Sequence, residues 1–214
     1  VLLRAKTVFM SRETSHFYFV TFVYGLVFAL SEVVLMIAME KDFHATKTLQ
    51  GLAITASTVI EIPVFYYSDT LLKSYSVSKM LAIAHAAMMF RLLGYTLVPL
   101  SAPWILVVIQ LCHGLCFSLM WVAAVSYASK HAPRGMEATA QTLLSNVWVL
   151  GNGLGAVAWT AMYDYVGSFR VVFLGGVFVL VLLMAWSHSC AEIDRISSKK
   201  DDDDDEEGGE LLAA

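Results

Sequence analysis

Apolar residues gather into six long runs separated by short polar links: 17–39, 48–67, 80–98, 104–127, 139–162 and 169–188. A run of about 20 residues, rising 1.5 Å per residue as a helix, crosses the ~30 Å hydrocarbon core of a bilayer. Helix is the forced choice for each run, because a lipid-exposed strand would leave backbone N–H and C=O groups unpaired where water cannot reach. Buried helices of a water-soluble bundle would need amphipathic partners, and the chain offers none. The pattern therefore predicts an all-α, polytopic membrane protein with six transmembrane helices. A lead-in at 1–15 precedes a bundle at 16–190, and a polar tail at 191–214 follows it.

Composition agrees. Apolar residues make up 58% of the 214 and charged residues 15%, against about 25% charge in soluble domains. Eight of the 18 acids lie between Asp201 and Glu210, so residues 1–196 carry 10 acids against 12 Lys and Arg. No basic patch suits a nucleic acid. Ten basic residues (Arg4, Lys6, Arg12, Lys73, Lys79, Lys130, Arg134, Arg195, Lys199 and Lys200) fall on one side of the predicted membrane, and only Lys41, Lys47 and Arg170 on the other. The positive-inside rule then places both termini in the cytoplasm. Cys112, Cys116 and Cys190 have no metal or redox spacing and read as packed thiols; no cofactor and no metal are expected. The start at Val1 reads as the edge of a longer chain. The tail reads as disordered, and its Glu207-Gly-Gly-Glu-Leu-Leu212 string has the form of an acidic dileucine sorting signal.

A weaker periodicity lies within the six runs. Tyr24-Gly-Leu-Val-Phe-Ala-Leu30 is echoed 89 residues later by His113-Gly-Leu-Cys-Phe-Ser-Leu119, and Thr48-Leu-Gln-Gly-Leu52 is echoed 91 residues later by Thr139-Ala-Gln-Thr-Leu143. Runs one and four would cross in opposite directions, as in the 3+3 inverted repeat nested in each half of a major facilitator transporter.

The segments Phe28–Glu40, Gln50-Gly-Leu52, Glu61-Ile-Pro63, Gln110–Trp121 and Ala132–Gln141 resemble the "associated domain" group of the major facilitator superfamily. That group is similar to lactose-permease-type sugar and proton symporters. The resemblance covers residues 15–188 and implies the carboxyl-terminal six helices of a twelve-helix transporter, partnered by an amino-terminal six-helix half. It also implies roles in substrate recognition and coupling for Glu61 and Arg91. The superfamily's gating-loop signature survives only as Ser68-Asp69-Thr-Leu-Leu-Lys73, without its glycines and arginine pair. Asp69 and Lys73 are the gating-loop candidates.

Charges inside spans cost about 2.5–3.5 kcal/mol on insertion scales, so they usually face the bundle interior and mark a pathway. Glu32, Glu61 and Arg91 are such charges, and their sum leaves one carboxylate without a cation. Ser57, Thr58 and Glu61 share a helix face just before Pro63, which interrupts the hydrogen-bond ladder. An interhelical salt bridge that only fixes packing is the competing account of Glu61. Gln110, His113, Phe117 and Trp121 also share a face. His113 suits a proton relay or a satisfied core histidine; Trp121 suits stacking on a planar solute or plain packing. In the fifth run, Ser145, Trp148, Asn152 and Gly155 form a stripe with Asn146 beside it. Gly151 and Gly155 make a small-xxx-small packing pair, while Asn146 and Asn152 could bond a polar solute.

Together these features predict a secondary transporter that moves a small polar solute, sugar- or nucleoside-like, by alternating access with proton coupling. The plasma membrane and an endosomal or vacuolar membrane are both compatible with the sequence. A receptor or scaffold of transporter ancestry that moves nothing is the alternative. It would keep its intramembrane charges fully paired and its centre filled with aromatic side chains.

Overall fold

The computed structural model describes residues 12–187, and every regular element among them is helical. Helix α1 (Arg12–Ala29) passes through a π-helical turn (Leu30–Val34) into α2 (Leu35–Lys41). Then come α3 (Lys47–Tyr66), α4 (Ser68–Ser74), α5 (Val77–Leu97), α6 (Trp104–Gln110), α7 (His113–His131), α8 (Glu137–Val166) and α9 (Phe169–Ser187). The lead-in before residue 12, the acidic tail, Cys190 and the dileucine-like string lie outside the described residues.

Among the described residues, five helical stretches are long and apolar enough to cross a membrane: Thr14–Lys41, Lys47–Tyr66, Val77–Leu97, Trp104–His131 and Phe169–Ser187. The fifth predicted run lies within α8, whose 30 residues exceed the required length while its Gly, Asn, Ser and Thr content lowers its apolarity. Large apolar side chains stay exposed on α3, α5, α8 and α9, among them Ile62, Phe90, Leu97, Val157 and Phe178. In water such a surface would be a liability; against acyl chains it matches its solvent.

Local chemistry fixes the helix ends. Thr46 and Ser76 accept hydrogen bonds from the backbone N–H groups of Leu49 and Lys79, capping α3 and α5. Gly167, at φ 67°, closes α8 in the left-handed conformation that glycine adopts without strain.

The chain divides into two compact units, Val1–Leu180 and Val181–Ala214; of the second, only the helical residues 181–187 are described. Within the first unit, α1 packs along α8, and α7 touches α3, α5 and α8. The α1–α8 contact is a backbone-to-backbone one. A Cβ on Gly151 or Gly155 would collide with the carbonyl oxygens of Phe22 and Leu26, and one on Gly25 would stand 2.9 Å from the Trp148 carbonyl oxygen. The small-residue pair therefore packs helices, as the spacing suggests. Gly114 does the same between α7 and α3, against the backbone of Ile60 and Glu61. Cross-helix hydrogen bonds secure the seams: Trp159 Nε1 donates to the Leu26 carbonyl at 2.9 Å, and Tyr18 Oη to the Ala140 carbonyl at 3.1 Å. The Tyr24 hydroxyl sits 3.2 Å from the Ala84 carbonyl and 3.0 Å from that of Cys116, joining α1 to α5 and α7.

At the end of the bundle where α2 and α8 finish, Lys41 pairs with Asp164 at 3.2 Å and the Tyr163 hydroxyl donates to Asp42 at 2.6 Å.

Candidate functional site

Two irregularities interrupt the helices where polar groups converge. At Leu30–Val34 the α1–α2 run widens, and the Leu35 N–H bonds the Leu30 carbonyl, five residues back. Between α6 and α7 the chain tightens instead, with Leu111 and Cys112 bonding carbonyls three residues back. Single π-turns recur at functional sites, and Glu32 occupies this one. His113 and Gln110 flank the tightened turn.

His113 stands between two carboxylates. Its Nδ1 lies 3.3 Å from Glu32 Oε1 and its Nε2 3.9 Å from Glu61 Oε2. The close approach of α3 to α7 at Gly114 brings Glu61 within reach, because that glycine's missing side chain leaves room for the Glu61 backbone. Histidine is buried here, but the carboxylates are open: their side chains keep 43% exposure at Glu32 and 22% at Glu61. Ser57 and Thr58, on the same stretch of α3, turn their hydroxyls back to the carbonyls of Ile54 and Thr55, as such residues commonly do in helices.

Arg91 forms a separate group. It is fully buried; its Nε donates to Tyr95 Oη at 2.6 Å and its Nη2 to Gln110 Oε1, while the Tyr95 hydroxyl donates to the same Gln110 oxygen at 3.0 Å. Nη1 has no hydrogen-bond partner. Among the described residues no carboxylate lies within ion-pairing distance of Arg91. Neutral dipoles serve Arg91 in its place, together with the faces of Phe28 and Tyr95 at 5.9 and 5.7 Å. Phe28 touches both groups, since its ring centre is also 5.3 Å from that of His113.

An aromatic wall adjoins the histidine. Phe117 lies 5.7 Å from the His113 ring, 5.9 Å from Trp121 in a near-parallel stack, and 6.3 Å edge-on to Phe65. Trp148 backs the wall at 5.0 Å from Phe28 and 6.0 Å from Trp121. Of the remaining sequence candidates, Asn152 is half-buried beside the α1 seam and Asn146 is exposed. Helical geometry sets Asn146 about 120° around α8 from Asn152, so the two asparagines do not share a face. Asp69 is exposed in the first turn of α4 and Lys73 stands in its last turn; neither joins the central group.

Sequence reasoning passed over Tyr95 and Phe28. Tyr95 was signalled by its place one turn after Arg91, where i and i+4 side chains meet. Phe28 carried no signal, being one aromatic among many.

The profile of the MFS_1 like family matches residues 4–174. The chain belongs to this family, within the major facilitator superfamily. It is also 28% identical over 131 residues to the uncharacterized transporter YwbF of Bacillus subtilis (strain 168), a stretch covering 59% of this chain and 32% of that protein. The chain thus matches about a third of the length of its curated relative.

In this MFS_1 like chain the central group consists of two carboxyl groups and one imidazole. A neutral imidazole carries one N–H and can direct it toward Glu32 or toward Glu61. With both carboxyl groups ionised and the imidazole neutral the three groups carry −2, and an added proton on any of them raises this to −1, with the Arg91 guanidinium on the far side of Phe28 contributing +1. Arg91, tied to Tyr95 and Gln110, is not free to swing between the acids.

Proposed function

We propose that this chain is the carboxyl-terminal half of a twelve-helix secondary transporter that moves a small polar solute by alternating access, coupled to protons. The observation that carries the proposal is His113 held between Glu32 and Glu61, two partly open carboxylates that, among the described residues, have no arginine or lysine within ion-pairing distance. Groups of this kind inside a membrane bundle mark proton and substrate paths. A receptor of transporter ancestry would be expected to neutralise its intramembrane charges fully, and these two acids share one histidine. The aromatic wall is a feature that such a receptor would also have.

Coupling in this reading runs through Glu61, Glu32 and His113, with Arg91 and Gln110 holding α5 against the α6–α7 turn. Trp121, Asn152 and Asn146 are the solute-contact candidates, and Asp69 with Lys73, both within the short helix α4, are the cytoplasmic gating candidates. The topology is six spans with both termini cytoplasmic, α8 serving as the fifth span, and the amino-terminal half as partner across the pathway. The 3+3 repeat draws support from packing: Gly25 and Gly114, 89 residues apart, perform the same task, one against α8 and the other against α3. Runs one with five and four with two are the pairs that such a repeat would relate.

Vesicles carrying the native polypeptide of which this chain is part, loaded with a pH-sensitive dye and offered a panel of sugars, nucleosides and amines, test the reading. An accepted solute should carry protons inward, and Glu61→Gln should cut gradient-driven uptake at least tenfold. Uptake indifferent to both the gradient and Glu61→Gln refutes the coupling.

A further inference from the structure

From the distribution of charge at the open side of the site, we infer that the solute is a planar organic monocation, recognised by Glu32 and Glu61 through its nitrogen and by Phe117 and Trp121 through its ring. This deepens the carrier reading and takes its setting from it. The accessible polar atoms of the central group are carboxylate oxygens, because His113 is buried and Arg91 has no exposed surface. His113 can bring at most one positive charge against two negative ones. A neutral solute entering there would displace water from carboxylates and leave their charge unmatched, which is costly in a low-dielectric setting. Counted with the buried Arg91 guanidinium on the other side of Phe28, the set carries −1 while the imidazole is neutral, and a single positive charge brings it to neutrality.

Two further features point the same way. Both carboxylates that flank His113 keep exposed surface, 43% at Glu32 and 22% at Glu61, so the group is not closed upon itself. Next to it, Phe65, Phe117 and Trp121 are only half-buried, and the near-parallel Phe117–Trp121 pair presents aromatic surface of the kind that attracts cations. A body with a charged nitrogen at one end and a flat ring behind it meets both surfaces at once.

The test compares 1-methyl-4-phenylpyridinium with 4-phenylpyridine, nearly the same shape without the fixed charge, by equilibrium binding to the native polypeptide in nanodiscs. The cation should bind at least tenfold more tightly. That preference should shrink below threefold in both Glu61→Gln and Glu32→Gln, near-isosteric changes whose folding is checked by thermal unfolding, and Trp121→Leu should weaken the cation by severalfold while the acids are intact. Equal binding of the two ligands, or a cation preference surviving in the Glu32→Gln/Glu61→Gln double variant, overturns the inference. Should proton-driven uptake of a neutral solute persist in vesicles while no cation preference is found, the solute class is wrong and the carrier reading stands. A cation preference without any proton-driven uptake reverses that outcome.

Discussion

Arg91 illustrates how a residue's role depends on its partners and not on its charge alone. Its guanidinium donates through Nε and Nη2 to Tyr95 and Gln110, so removing either partner strands a further buried donor or acceptor. Tyr95→Phe should therefore cost about 1–3 kcal/mol, the usual penalty for an unsatisfied buried polar group, read as a lower unfolding temperature in detergent. Arg91→Lys should also destabilise, because an ammonium is a point donor and cannot reproduce the planar fork that reaches both oxygens. If either variant unfolds at the wild-type temperature, the buried network is not what holds α5 to the α6–α7 turn. The sequence identified Arg91, Gln110 and His113 as residues that needed explaining. It could not say that Arg91 would choose neutral partners, since ion pairing with Glu61 was equally consistent with residue type. The choice follows from rotamer reach across helices, which linear spacing does not encode.

At the scale of elements, glycines decide where helices touch. Gly151 and Gly155 face carbonyl oxygens of α1, whereas a Cβ on Gly153 would meet nothing within 4 Å. Gly151→Ala and Gly155→Ala should each destabilise by about 1–3 kcal/mol through overpacking. Gly153→Ala should be neutral or mildly stabilising, as Ala is the better helix former by up to about 1 kcal/mol. Thermal unfolding of the three variants side by side checks the contrast, and equal losses at all three positions would contradict the packing described. The helical runs themselves were legible from apolar length, within a few residues at their ends. The π-turn at Leu30–Val34 and the tightened turn at Leu111–Cys112 were not, because neither contains a Gly or Pro to announce it. Pro63, which does announce an interruption, lies within α3 without ending it.

For the whole molecule, the membrane-facing surface and the polar interior divide the work. The Lys41–Asp164 pair is more than half exposed on both side chains, so Lys41→Ala should change stability by no more than about 1 kcal/mol; a much larger loss on thermal unfolding would show that this pair bears more of the fold. Orientation is open to direct measurement. With the native cysteines replaced, single cysteines at Ser76 and Ser129 should be labelled by a membrane-impermeant maleimide from one side, and one at His44 from the other. Labelling of all three from the same side would rule out the six-span topology. The sequence by itself determined that the chain is helical, membrane-embedded and similar to major facilitator proteins, because apolar length and the need to pair every backbone group in lipid leave little choice. Only the tertiary structure decided which polar groups meet. The contacts of His113 with Glu61 and Glu32 join residues 52 and 81 positions apart, and they exist because a widened turn, a tightened turn and a glycine each move one helix by a small amount that the linear pattern cannot express.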